Sequence, residues 1–247
     1  MNSPNTQPAA RTVIAIDGGA ASGKSTAARA TAKALGFLHV DSGALYRAIS
    51  WRALADRLDP TDTAAIKSLV SRLDFTVEAA NGGVRIRIRG NEPREADIRS
   101  PETTKTVSPI SAIAEVRALV NAQLRKLAQT CDCVVEGRDI GTVVFPNAAH
   151  KFYLVASPEE RARRRKLDFE KLSQQPASKT DAQHAAELER TKRELAERDR
   201  RDSSRAADPL RAAQDAVVID TTHHTVEQTA AEILQHIRQH PSAAKTA

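Results

Sequence analysis

A short run near the N-terminus has the residue types and spacing for one kind of chemistry. Gly18-Gly19-Ala20-Ala21-Ser22-Gly23-Lys24-Ser25 fits G-x-x-x-x-G-K-[ST] without a mismatch. Small residues let backbone N–H groups curl around a phosphate, and a helix starting there adds the positive end of its dipole. Lys24 has the reach for the β- and γ-phosphates of a nucleoside triphosphate, and the Ser25 hydroxyl can ligate Mg²⁺. Thr26 completes the candidate ATP-binding run. A glycine-rich turn without ligand is the plain alternative, but an apolar β-branched run precedes the loop and a helical stripe follows it. The pattern alone does not separate kinases from GTPase switches or motor ATPases. No guanine-reading N-K-x-D occurs in the chain, which argues against a GTPase.

Arginines and carboxylates supply the other candidates. In Asp41-Ser42-Gly43-Ala44-Leu45-Tyr46-Arg47, Ser42 is placed to cap a helix, and Arg47 faces the same side as Gly43, able to meet an anion. Arg138 and Asp139 are adjacent opposite charges, as in many surface ion pairs. The run ERDRRDSSR reads by itself as a solvated helix face. Within it Arg198, Asp202 and Arg205, at spacings of four and three, would share one side. Arg161, Arg164 and Arg165, beside Arg163, lie close together on another helix. Such a cluster costs stability unless an anion joins it. ATP phosphates under a closing lid are the functional reading, and solvation the bland one.

In combination, IDGGAASGKST, DSGALYR, EGRDIGTVVFP and ERDRRDSSR, in this order, resemble bacterial cytidylate kinases of the nucleoside monophosphate kinase family, over residues 12–240. The resemblance implies a P-loop kinase fold with a monophosphate-binding insert and an arginine-rich lid. It implies transfer of the γ-phosphate of ATP to CMP or dCMP, with Mg²⁺, giving CDP or dCDP. It also implies that Ser42, Arg47, Ser108, Arg117, Arg138, Asp139, Arg198, Asp202 and Arg205 bind the acceptor. Arg47 and Arg138 suit its phosphate, because a planar guanidinium grips phosphate bidentately. Asp139, helped by Ser108, would accept from the cytosine amino group, and Arg117 would donate to the ring acceptors. Arg198, Asp202 and Arg205 resemble sugar and phosphate contacts. Lys24, Arg138, Arg161 and Arg165 are the expected catalytic cations, Ser25 the expected metal ligand, and Glu136 and Asp41 candidates to order metal-bound water. The acceptor phosphate is already an anion, so neither a strong base nor a covalent enzyme intermediate is expected. Kinases for another acceptor (UMP, AMP, shikimate) and a nucleotide-dependent switch stay open as alternatives. The loop departs from such relatives at Gly19-Ala20-Ala21, where proline and serine or glycine are usual.

Periodicity predicts the elements that position these groups. Residues 12–17 read as a buried parallel strand, 24–35 as a helix closed by Gly36, 37–40 as a strand and 43–58 as a helix. Residues 74–79 and 84–89 flank Asn81-Gly82-Gly83 as a hairpin with one basic face. Ile113, Val116, Val120, Leu124 and Leu127 mark a returning helix. Residues 134–136 and 152–156 are further strands, and Pro158 opens a basic helix. A polar segment over 172–185 is expected to be mobile, followed by a charged helix to about Arg200. Residues 216–220 read as a last strand, and Val226, Ala230, Ile233 and Ile237 as a closing helix. The expectation is an α/β fold: a doubly wound parallel sheet flanked by helices, with a small antiparallel insert. Its core spans 11–60 and 130–240, the insert 61–129 and the lid 158–185, between disordered tails at 1–10 and 241–247.

Composition sets the outer bounds. Lys and Arg number 37 against 31 Asp and Glu, a net charge of +6, which favours anionic partners. Aromatics are only 3%, too few for base-stacking platforms, so small phosphates are favoured over nucleic acid. No apolar run approaches the roughly 20 residues of a membrane span, and residues 1–10 lack a secretory pattern. A cytoplasmic location away from membranes is therefore expected, and a monomer is the expected state. Cys131 and Cys133, both expected on a buried strand, make a poor zinc site by themselves.

Overall fold

The computed structural model of the chain describes residues 11–80, 83–173, 181–205 and 207–241. The chain begins β1 (Val13–Gly18), α1 (Lys24–Leu35), β2 (Leu38–Asp41) and α2 (Ser42–Ala55). An outlying stretch follows: α3 (Thr63–Val70), β3 (Phe75–Ala80), β4 (Gly83–Ile88), α4 (Glu95–Ile98), α5 (Pro101–Ser111) and α6 (Ala114–Ala128). The chain then returns through β5 (Cys133–Gly137), a π-helical turn (Ile140–Val144) and β6 (His150–Val155). It ends with α7 (Pro158–Ser173), α8 (Asp181–Ser203), β7 (Val217–Asp220) and α9 (Val226–Gln239).

The main sheet is parallel, in the order β2-β5-β1-β6-β7. Its inner strands carry apolar stretches, Val13–Ile16 in β1, Cys133–Val135 in β5 and Phe152–Val155 in β6, because both faces there are covered. Alternation along β1 splits the core: Ile14 and Ile16 pack with Ala27, Phe152 and Ile233, whereas Ala15 joins Val40, Leu45 and Ile49. Since β1 is central, the loop after it emerges at the carboxyl edge of the sheet, where open α/β folds bind ligands. In the hairpin β3 pairs antiparallel with β4 from Phe75↔Ile88 to Ala80↔Gly83. Ile86 and Ile88 turn inward, while Arg87 pairs with Glu78 and Arg89 with Asp56. The basic face is thus neutralised locally.

Several expectations need correcting. Asp41, not Ser42, caps α2: its Oδ1 accepts from the Ala44 N–H at 3.2 Å. Residues 172–173 and 181–185 belong to helices, so the segment expected to be mobile is helical at both described ends. Ala, Gln and Leu there are strong helix formers, and further along α8 Leu188 and Leu195 pack against Ala20 and Ala162. The expectation for 174–180 lies outside the described residues, as do those for the tails at 1–10 and 242–247 and for Asn81 and Gly82 of the turn. Cys131 precedes β5 and is only half-buried, because pairing with β1 begins at Cys133, whose N–H donates to Thr12 O. Val226, in the first turn of α9, is exposed, and the buried stripe starts at Thr229 and Ala230. Arg205 lies beyond the end of α8, so helical spacing does not place it.

Candidate active site

The loop 18–25 joins the end of β1 to the start of α1, and backbone geometry explains its residue types. Gly18 has φ 149°, and a Cβ there would sit 2.2 Å from the Leu154 carbonyl oxygen. Gly23 occupies the N-cap position of α1 at φ 87°, and no side chain caps the helix. The first amides of α1 therefore keep their donor capacity for an anion. Ala21 takes φ 57°, a left-handed conformation that costs an L-residue about 1–2 kcal/mol. Ala21→Gly is expected to raise unfolding free energy by roughly 1 kcal/mol after the entropic cost of glycine, a gain that urea denaturation would detect.

Lys24 is buried, and its Nζ donates to Gly19 O at 2.7 Å. Burial, followed by the field of Arg138, lowers its pKa from 10.5 to about 7, against the opposing pull of Glu136 and Asp199. An arriving polyphosphate would restore the charged form. Binding of ATP at pH 8 should therefore take up close to one proton, whereas at pH 6 it should take up almost none from this group. Titration calorimetry in buffers of different ionisation enthalpy measures this directly, and Lys24→Arg should abolish the pH 8 uptake.

The Ser25 Oγ donates to Glu136 Oε2 at 2.6 Å, and His39 Nε2 lies 2.9 Å from Glu136 Oε1. A hydroxyl beside a carboxylate at the mouth of a phosphate loop is a hard-oxygen donor set, which suits Mg²⁺ shared with phosphate oxygens. Behind the loop Asp17 is buried, accepting from the N–H groups of Ile140 (2.8 Å) and Gly141 (2.7 Å). Burial raises its pKa to about 6, although both amides oppose the shift. Asp17 thereby ties the end of β1 to the turn after Arg138 and Asp139.

The expected acceptor residues converge from distant parts of the chain. Arg138 donates through Nε to Asp202 Oδ2 (3.0 Å) and through Nη1 to Gly18 O (2.6 Å). Arg117, 2% exposed, donates to Asp208 Oδ2 at 2.6 Å and to Asp139 Oδ2, and lies over the Tyr46 ring at 5.7 Å. Burial opposes its charge, but the carboxylates of Asp139 and Asp208 keep it protonated. Arg138–Asp139 is thus no surface ion pair, since each residue has a separate buried partner. Arg47 donates to Asp41 Oδ2 at 2.6 Å; burial works against the Asp41 anion, yet Arg47 and Arg99 hold it ionised. Arg198 is lowered to about 10, first by burial and then by Arg138, with Arg47 and Arg165 adding to it and Asp202 opposing. Arg205 donates to the backbone carbonyls of Asp202 and Asp208.

One cleft of about 880 Å³ is lined by loop residues Ala20 to Thr26 and, opposite them, by Ser42, Arg47, Arg117, Arg138, Asp139, Arg165, Arg198, Asp202 and Arg205. Gly18, Gly19, Ser108 and Arg161 stand outside this lining. From the segment of Ser108, Val107 and Ser111 line the cleft instead, and the Ser111 carbonyl accepts from Arg117. Arg161 donates to Ala20 O and to Asp199, so it braces the loop from outside. The arginines of α7 are not a bare like-charge cluster: Glu160 accepts from Arg163 and Arg164, and Arg164 also bonds Thr221. Sequence reasoning missed Asp17, Asp199, Asp208 and Thr221. The first two lie inside recognised motifs, IDGGAASGKST and ERDRRDSSR, and the other two outside them.

A phosphate loop after the central strand of a parallel sheet, facing a cation-lined cleft, defines a P-loop kinase. A family model described as Cytidylate kinase matches residues 14–239, and the chain belongs to that family. A cytidylate kinase of Halalkalibacterium halodurans is 39% identical over 226 residues, covering 92% of this chain and 97% of that protein. A bifunctional pantoate ligase/cytidylate kinase of Prochlorococcus marinus is 41% identical over 227 residues, covering 92% of this chain but 43% of its own length. The chain thus spans less than half of such bifunctional relatives. The solved structure of TT1252 from Thermus thermophilus aligns over 92% of this chain and 98% of that one at 19% identity and a TM-score of 0.41, too loose to carry an argument.

Proposed function

We propose that the chain transfers the γ-phosphoryl group of ATP to CMP or dCMP. The observation that carries this reading is electrostatic: Arg47, Arg138, Arg165 and Arg198 share one cleft opposite the loop that presents Lys24, and burial first, then the neighbouring guanidiniums, lowers the pKa of Arg198 to about 10. Two nucleotides placed phosphate to phosphate would relieve that crowding. Loop amides, the α1 N-terminus and Lys24 hold the donor, while Arg47 and Arg138 align the acceptor phosphate for in-line attack. Arg165 and Arg198 meet the charge of the migrating group, and Asp202 and Arg205 meet the sugar end of the acceptor. Asp139 and Arg117 read the cytosine edge. Ser25, with Glu136 ordering its water, would hold Mg²⁺, which would supply charge neutralisation to the triphosphate.

The hairpin and helices within 61–129 act as the acceptor-binding insert, and 158–185 as the lid that excludes water. We read the protein as a monomer acting in the cytoplasm on free nucleotides rather than nucleic acid; among the described residues no helix is long and apolar enough to cross a membrane. The test is ADP release with CMP, dCMP, UMP, AMP or no acceptor. A rate that depends on CMP or dCMP supports the reading. Release independent of acceptor, or stimulated by nucleic acid, would replace it with a nucleotide-dependent switch.

A further inference from the structure

The two polar groups of one loop residue are held from outside the loop. The Ala20 N–H donates to Asp199 Oδ1 on α8 at 3.0 Å, and the Ala20 carbonyl accepts from Arg161 Nε on α7 at 2.7 Å. Arg161 also donates to Asp199 Oδ2, which closes a ring of three contacts around the Ala20 backbone. Beneath it Ala20, Ala162 and Leu195 form a small buried cluster, with Leu195 one turn before Asp199 on α8. The neighbouring residue, Gly19, lies against the same two side chains. A Cβ on Gly19 would stand 2.7 Å from Asp199 Oδ2 and 3.3 Å from the Arg161 guanidinium, and its φ lies outside the left-handed range. A side chain at residue 19 would displace the Asp199 carboxylate, whose two oxygens accept from the Ala20 amide and from Arg161.

We propose that Asp199 is a positioning residue for ATP: through the Ala20 amide, and together with Arg161, it sets the backbone of the phosphate loop from the α7–α8 helix pair. This rests on the reading of loop 18–25 as the ATP site. A Gly-Ala-Ala loop has few side chains of its own to fix its backbone, and an external clamp reduces its freedom.

The test is a double-mutant cycle on the full chain, with KM for ATP and for CMP measured separately. Asp199→Ala should raise KM for ATP roughly tenfold, the scale of a lost charge-assisted hydrogen bond, and leave KM for CMP within about twofold. Gly19→Ala should raise KM for ATP in the wild-type background, yet add almost nothing beside Asp199→Ala, where the obstruction is gone. Asp199→Asn, which keeps an acceptor for the Ala20 amide without the charge, should fall between and serves as the test should the alanine variant not fold. Amide exchange at Ala20 should quicken in Asp199→Ala. Unchanged KM for ATP in Asp199→Ala, or additive effects of the two substitutions, would overturn the clamp. ATP binding to the wild-type protein, measured by calorimetry, keeps the two readings apart: absence of binding overturns the ATP site and the clamp together, whereas binding indifferent to residue 199 overturns only the clamp.

Discussion

Lys24→Ala is expected to reduce CMP-dependent ADP release by about 10³-fold or more, the scale on which single charged groups act in phosphoryl transfer. The side chain is buried at the loop and donates to Gly19 O, so its ammonium is held where the donor phosphates would lie. Stability should change the other way. Burial lowers the Lys24 pKa to about 7 from 10.5, so the unfolded chain holds this proton more tightly than the folded one. A lysine depressed in this way burdens the fold fully below about pH 7, and the burden fades as pH rises towards 10.5. Lys24→Met should therefore unfold at a higher temperature than the wild type, with the gap widest at or below neutral pH. A variant that loses activity and stability together would indicate that Lys24 props the loop rather than meeting a phosphate.

Asp139→Ala is expected to cause the second large loss, in two measurable quantities. Arg117 is 2% exposed and shared between Asp139 and Asp208, so removing one carboxylate strands most of a buried charge. Breaking such a pair costs about 3 kcal/mol, readable from urea unfolding. Replacing both partners, as in Asp139→Leu with Arg117→Met, should recover much of that stability, because an apolar pair of similar volume carries no desolvation penalty. The preference for cytosine should not return with it. In both variants the ratio of kcat/KM for CMP over AMP should fall by roughly 1–3 kcal/mol equivalent. If that ratio survives in the refolded double variant, Asp139 and Arg117 form a structural pair and the base is read elsewhere.

Much of the fold was legible locally. The phosphate loop, the helix 24–35 and the hairpin alternation rest on periods of 3.6 and 2 and on glycine at places where other residues would collide, all of which a linear reading can use. Strand registers and most ion-pair partners were not legible. Asp199 meets Ala20 across 179 positions, Ser25 meets Glu136 across 111, and Asp17 reaches Gly141 across 124. Local signals led to plausible errors, such as Ser42 as the α2 cap or Arg205 on the face of α8, because they describe neighbours along the chain alone.

The amino-acid sequence by itself determined that a phosphate-gripping loop would follow a buried strand, since small residues, Lys24 and a helix start carry that consequence wherever the rest of the chain goes. Only the tertiary structure decided which carboxylate tempers which arginine. The order β2-β5-β1-β6-β7 brings Glu136 to Ser25 and places Arg138 behind Gly18, while the packing of α7 and α8 against the loop sets Asp199 on Ala20. Coulomb energies fall with distance and rise with burial, so the charge state of the site belongs to that packing and cannot be read from spacing along the chain.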